Sequence, residues 1–515
     1  MTKILMVSKG EYYNLMPLVA ATLRQDFGYS VDAMTFATPT AHLTQMREFD
    51  QVHNLAAWLK AEVPNSDFDE CLHYLEDLEL SEEVPNLSMM IHADRIIRQF
   101  PFKKVIKTVA AVCRFWERLF RETRPDLIIA EVSCASEWIA WSLARRWNIQ
   151  YLIPYPSTLP DRFTFIRGPS RGWESVEDLY LAAKNRELTA DETCVAEQLL
   201  SRFRAGGLTQ PIHAPVARLP LALDGISARR LRNRIQRIPL RLRTYLTDGD
   251  FEVGSYNGRP PWEGVMKDVL RTVRHFASEN TLFDREIRPG KFVYFPLHVQ
   301  PEFTIDVRAP FCTNQVALIE AIAKSLPVGH CLVVKDHPAM RGSRSLEYYR
   351  EIKKLYNVQL MSASSDSHKI IRNAEAVITI VGTTAWEGLL YEKPVIALGP
   401  LCYGFFDLLY NCPDIADLPA TLSTAITTFR PDRQLLLKLI WAAMEGSHDG
   451  VWGDPLSSPS ISLPENIDKI ARAILAEVDS KRPAARLRTK TTKTPGGHAG
   501  SDLVEPLGYP RPYLQ

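Results

Sequence analysis

Apolar positions in this chain fall in short unbroken blocks separated by amphipathic stretches. "KILMVS" (3–8) leads into "LMPLVAATLRQDFG", where apolar residues recur at helical spacing until Gly28 ends the pattern, and "SVDAMTF" follows as a second block. This is an α/β opening: buried strand, helix, buried strand. After a helical stretch from about 41 to 124, the pattern returns as "DLIIAE" (126–131), the helical "ASEWIAWSLARRW" and "YLIPY" (151–155). A second series begins at 292 with "FVYFPL", and continues through a helix near 313–325, "CLVVKD", a helix near 345–356, "VQLMS", a helix near 367–373, "AVITIVG", a helix near 384–391 and "PVIALG". Blocks apolar at every position predict strands buried on both faces. Their alternation with helices, without hairpin signals, predicts right-handed crossovers and a mostly parallel sheet.

The fold class expected is therefore α/β, with two Rossmann-like doubly wound domains facing a central cleft. Residues 1–215 form the first domain, with a helical insertion at about 41–124, and 216–290 a basic helical linker. Residues 291–455 form the second domain and 456–479 a C-terminal helix; 480–515 read as a disordered basic tail, too poor in apolar residues to support a core.

Composition narrows the class without naming it. A chain of 515 residues with 46 % hydrophobic and 23 % charged residues is an ordinary globular protein, large enough for two cores. Its net charge of +1 gives no overall field for nucleic acid, so any charge argument is local. The eight cysteines show no CxxC and no metal-ligand spacing, which fits reduced thiols. No signal peptide and no run of 18 apolar residues is visible, so the expected location is the cytoplasm.

In a doubly wound sheet, ligands bind outside the carboxyl ends of the strands. The chemistry-bearing residues at those ends come in three groups. Lys335, Asp336, His337 and Pro338 follow "CLVV": the lysine and histidine suit an anion, although a capped strand end with a solvated charge is the blander reading. Gly382, Thr383 and Thr384 stand between "AVITIV" and a helix, a place for a phosphate or simply for an N-cap, and Glu387 one turn later could meet a ribose hydroxyl. Gln300, Pro301 and Glu302 follow "FVYFPL", with His298 just before them. In the first domain Glu131 follows "DLIIA" and either caps the next helix or projects into the cleft as a general base. Asp161 and Arg162 follow the next strand; Arg162 could grip a carboxylate or phosphate, or form a structural salt bridge. There is no GxGxxG and no P-loop, which argues against NAD chemistry and NTP hydrolysis.

"VYFPLHVQPE", "VVKDHPAM" and "ITIVGTTAWEGLLYEKPVIALG" together resemble the bacterial capsule polysaccharide biosynthesis family, which includes β-Kdo transferases. The similarity covers about 290–400 well and the "DLIIAE" to "LPDRF" region more loosely. The resemblance implies a GT-B architecture, with Gln300-Pro301 and His337-Pro338 as the two donor motifs, and a CMP-sugar as donor substrate, with no cofactor and no metal. The Lys-x-His-Pro element and the later hydroxyl pair are also similar to those of bacterial sialyltransferases, which implies phosphate contacts for Thr383 and Thr384. Glu302, Asp161 and Arg162 are weaker candidates for the acceptor or a carboxylate. Where many members carry an acidic residue and glycine in the first domain, this chain has "AEVSCAS", so Glu131 is the nearest base or nucleophile.

The implied activity is glycosyl transfer of Kdo or a related keto acid from a CMP-sugar to a surface polysaccharide, on a glycan or lipid-linked glycan acceptor. Two alternatives stand beside it: a CDP- or UDP-dependent transferase of teichoic-acid type, and a non-catalytic nucleotide-sugar or glycan-binding assembly protein. Between 227 and 246 lie seven arginines and no acidic residue, with Leu231, Ile235, Ile238, Leu242 and Tyr245 at helical spacing. Such a stretch is either a solvated linker helix or a contact with the inner face of the cytoplasmic membrane.

Overall fold

A computed structural model describes residues 2–9, 14–37, 46–81, 84, 86–169, 172–206, 238–239, 241–254, 258–279, 281–455 and 458–479. The tail from 480 and most of the arginine-rich 227–246, including Leu231 and Ile235, lie outside the described residues.

Among those residues two sheets form. In the first, β1 (Lys3–Ser8), β2 (Ser30–Thr35), β3 (Val52–Asn54), β4 (Leu127–Ile129) and β5 (Gln150–Pro156) are parallel in the order β3-β2-β1-β4-β5. In the second, β7 (Lys291–Pro296), β8 (His330–Lys335), β9 (Val358–Met361), β10 (Ala376–Thr379), β11 (Val395–Ala397) and β12 (Leu409–Asn411) are all parallel in the order β12-β11-β10-β7-β8-β9. The predicted α/β class is therefore the observed one. In each sheet the strand order reverses direction at one place, between β1 and β4 and between β7 and β10. A crevice opens at such a switch point because the crossovers on either side cover opposite faces.

The strands are mostly apolar because helices cover both faces; in β7, for example, Phe292 to Pro296 are all buried. Local chemistry sets the helix starts. Asn54, Asp67, Ser345, Asp366 and Asp432 each accept a backbone N–H from the first turn of the helix they precede. Between β3 and β4 run the helices Leu55–Asn65, Phe68–Leu80, Leu87–Ala93 and Phe102–Thr123, the expected helical insertion. Its start needs correction: Val52–Asn54 is an edge strand inside the range read as helical, too short to show a period.

Two further expectations change. The segment after β5 is not a crossover: β6 (Arg162–Ile166) folds back antiparallel on β5, with Asp161 at φ +55° in the turn between them. The second domain also ends before 455. Helix Arg433–Glu445 packs on helices Glu174–Lys184 and Ala190–Gly206, and β13 (His448–Asp449) adds to β6 in the first sheet. Helix Pro464–Asp479 then lies against helix Met16–Gln25, with Ile470 and Ile474 fully buried under β1. The chain thus returns to its first domain from about Arg433, a crossing that no local pattern marks.

One hydrophobic core runs through both sheets, including Leu5 and Ile128 from one and Val293 and Ile378 from the other. At the join Trp173 packs on Tyr403 and Trp386, with ring centres 5.6 Å and 6.2 Å away, and its backbone N–H donates to the Cys402 carbonyl at 2.9 Å. A Cβ on the preceding Gly172 would sit 2.4 Å from that carbonyl oxygen, so only glycine allows the approach.

Candidate functional site

Three strand ends of the second sheet meet at its switch point. Beyond β7, His298 is buried and its Nε2 lies 3.0 Å from the Thr379 hydroxyl at the end of β10. The Thr379 hydroxyl also accepts the Gly382 N–H at 3.3 Å, and a Cβ on Gly382 would come within 2.8 Å of His298 Nε2. Glycine at 382 is therefore a packing requirement. Burial, followed by the nearby positive charges of His337 and Arg344, holds His298 down at about 3, so it is neutral at physiological pH.

Gln300 and Pro301 share a cis peptide bond, and the Gln300 side chain is fixed at both ends. Its carbonyl accepts from Gln315 Nε2 at 3.2 Å and its amide donates to Asp306 at 3.4 Å. Gln315 in turn accepts the His298 N–H and donates to the His298 carbonyl. Glu302 is exposed beside this frame, and its N–H donates to Asp306. Loss of surrounding water raises both carboxyls, while Arg95 of the first domain pulls each of them back. Glu302 accordingly faces the other domain.

At the end of β8 the four polar residues have separate tasks. Asp336 is buried, paired with Arg344 and hydrogen-bonded by the Tyr349 hydroxyl at 2.9 Å; Arg344 also donates to the His298 carbonyl. That pair ties the β7 and β8 ends together. The His337 Nδ1 accepts the Ala339 N–H at 3.1 Å, so in the neutral ring the proton is on Nε2, where it can be donated. Pro338 then starts a short 3-10 turn, Pro338–Met340.

Lys335 and Glu387 sense each other's charge. Lys335 is buried with its ammonium on the carbonyls of Asp336 and Ala363, at 3.3 Å and 3.2 Å, and burial lowers it to about 8. Glu387 is half-buried, and burial pushes it up to about 7 against the pull of Lys335. A cation and a carboxyl that sense each other through a low-dielectric space are both ready for a polar ligand. Thr384 opens helix Thr384–Leu390 and Thr383 precedes it without a side-chain cap bond, so neither hydroxyl is committed to capping. A seven-residue helix carries a weak dipole, so attraction for an anion here rests mainly on Lys335 and His337.

Glu131 and Lys9 follow strands of the first sheet. Glu131 is half-buried past β4, and it does not cap the next helix: Glu137 accepts the Ser133 N–H at 2.7 Å and Asp94 the Ala135 N–H at 3.0 Å. Lys9, just past β1, is buried against Glu137 at 2.5 Å. Burial acts to lower its pKa, but the charges of Glu137 and then Glu131 outweigh this and leave it raised. Lys9 carries the same sequence signal as Lys335, a cation at the end of a buried strand, whereas Glu137 lies inside a helix and has no such mark.

Asp161 and Arg162 are not brought to the cleft chemistry. Arg162 donates to the carbonyls of Met444 and Ser447 and pairs with Asp449 at 3.0 Å, while the Asp161 carbonyl accepts from Gly450. Both anchor the returning chain, which is the structural salt bridge of the two readings of Arg162.

A pocket with about 280 Å³ of empty space, part of it open to solvent, lies between the domains. Tyr155 and Trp173 line it from the first, and Arg308, Gly382, Thr383 and Tyr403 from the second. Arg308 is buried, donates to the Pro400 carbonyl at 2.9 Å and lies 5.6 Å from the centre of the Tyr155 ring. No motif pointed to it, because its partners come from distant parts of the chain.

Residues 258–413 match the family described as capsule polysaccharide biosynthesis protein. This segment holds the β7, β8 and β10 ends, so all of the donor-side candidates lie inside it. Protein FixF of Sinorhizobium fredii (strain NBRC 101917 / NGR234) is 26 % identical over 192 residues, 36 % of this chain and 44 % of FixF. The matched region thus spans less than half the length of that curated relative. Among solved structures, the β Kdo 2,4 transferase of Thermosulfurimonas dismutans KpsC is similar at 14 % identity and TM-score 0.37, covering 68 % of this chain and 86 % of that one. The β Kdo 2,7 transferase of the same protein is similar at 12 % identity and TM-score 0.36, covering 66 % and 84 %. Likeness of this degree equates no residue of one chain with a residue of the other.

Proposed function

We propose that this protein is a glycosyltransferase of capsule polysaccharide assembly, moving Kdo or a related keto acid from a CMP-sugar to a glycan or lipid-linked glycan acceptor. The observation that carries the reading is the convergence of Lys335, His337, Gly382–Thr384 and Glu387 at one sheet edge, within the segment that matches the capsule family. A CMP-sugar of this kind leaves as a monophosphate, so the chain must stabilise charge at one phosphate. Lys335 supplies a cation and His337 Nε2–H a hydrogen bond, with the Thr383 and Thr384 hydroxyls as further donors. Glu387 suits a ribose hydroxyl, because a carboxyl near pKa 7 can accept or donate. Across the cleft Glu131 takes the acceptor proton or attacks the anomeric carbon.

Calorimetric titration with CMP, CDP and UDP tests the donor class. Tight binding of CMP that His337→Ala abolishes is the expected result. Preference for CDP or UDP replaces the donor, and binding of none favours an assembly protein without catalysis. Release of CMP from CMP-Kdo, compared between wild type and Glu131→Gln, tests the catalytic carboxylate; equal turnover in both removes it.

A further inference from the structure

The helix Pro261–Glu279 is turned inside out. Its polar side is the packed one: Arg271 donates to the carbonyls of Ala339 and Arg341, and Arg274 to that of Ser343. Gly342, at φ +68°, passes so close that a Cβ there would overlap the Arg271 carbonyl oxygen. Its apolar side faces out: Trp262, Val265, Met266, Val273 and Phe276 are each 58–62 % exposed, and Val269 and Leu270 between them are exposed too. These positions follow the i, i+3, i+4 and i+7 rule of a single helix face.

Helical residues 241–247 extend the surface. Tyr245 meets Trp262 edge-on at 5.6 Å, and Leu242 and Leu246 are exposed beside it. A contiguous exposed apolar face of this kind marks an interaction surface. Positive charge predominates beside the patch: Arg243 is exposed, Lys267 pairs with Glu263 at 2.5 Å, and the sequence 227–246 holds seven arginines and no acidic residue. A second copy of the chain would bring this positive charge against itself in a two-fold contact. An anionic bilayer matches both the apolar area and the charge. No helix among the described residues is long and apolar enough to cross a membrane, so the fit is to its surface.

We propose that the apolar face of Pro261–Glu279, with 241–247 beside it, seats this protein on an anionic lipid bilayer. The seat adjoins the 339–343 segment that follows His337, so docking there sets the donor site at a fixed height above the lipid. This inference is independent of the donor sugar.

The test is co-sedimentation of the whole chain with vesicles of phosphatidylglycerol and phosphatidylcholine in equal parts, and with vesicles of phosphatidylcholine alone. Binding to the anionic vesicles only, weaker by about tenfold or more in Val265→Asp/Phe276→Asp, is expected. Because both side chains are exposed, that variant should melt with wild type. Arg243→Glu/Lys267→Glu should lose the preference for anionic lipid while keeping the apolar face. Absence of wild-type binding, equal binding by either variant, or a wild-type dimer in gel filtration that Val265→Asp/Phe276→Asp converts to monomer would each overturn the proposal.

Discussion

Glu387 and Lys335 show how burial at single residues sets the pH response of this site. Glu387 rises from 4.5 to about 7 on folding, so the folded state binds the extra proton between those values. Its stabilising contribution is complete below pH 4.5 and is lost as pH rises through 7. Urea unfolding of wild type should lose stability over that window relative to Glu387→Gln, by on the order of 1–2 kcal/mol once partial exposure is allowed for. Lys335 has the opposite sign, because its folded value is lowered from 10.5 to about 8. Its contribution is present above pH 10.5 and is lost as pH falls through 8. An anionic nucleotide favours its charged form, so binding at pH 8 should take up protons, visible as a dependence of the calorimetric enthalpy on buffer ionisation. Lys335→Met should abolish that dependence. Arg162 makes a contrasting single-residue case: Arg162→Ala should cost about 1–3 kcal/mol in unfolding free energy and leave nucleotide affinity unchanged.

At the scale of elements, the site is held by links between strand ends and not by the strands alone. Asp336 and Arg344 form a buried pair that also holds the His298 carbonyl, so removal of one partner leaves a charge without compensation. Arg344→Met should cost about 3–5 kcal/mol and weaken nucleotide binding as the β7 and β8 ends separate. Gly382→Ala tests a second link. Its new methyl would press on His298, whose contact with Thr379 holds β7 to β10. Nucleotide affinity should fall by about tenfold with a stability loss of about 1–3 kcal/mol, measured by titration and urea unfolding on the same samples.

At the scale of the molecule, the two sheets are joined by a continuous core and by the return of the chain to its first domain. The cleft is therefore closed at one end by packed aromatic residues, and the charge of Arg95 in the first domain is felt by Glu302 of the second. Trp173→Ala should cost about 3–5 kcal/mol, since it removes a buried ring from the join. Differential scanning calorimetry should then show the single wild-type transition split in two, because each sheet has its own layers of helices while the shared core at Trp173 couples them.

The local pattern by itself determined the two α/β series, most of the parallel strands and the helical insertion, because a strand buried on both faces is apolar at most positions. It also determined where to look for chemistry, because Lys335, His337, Gly382 and Glu387 are polar residues directly after such strands or one turn beyond. Other features were decided only by tertiary structure. Strands of two or three residues, β3 and β13, have too few positions to show a period. Arg162 reads the same whether it grips a ligand or a helix end, and only the returning chain, whose Met444 is 282 residues away, settles it. Arg308 and Lys9 gain their roles from burial among distant partners, and Pro261–Glu279 has an ordinary amphipathic pattern whose direction no sequence states. Periodicity fixes which residues share a face, whereas long-range packing decides which way that face turns.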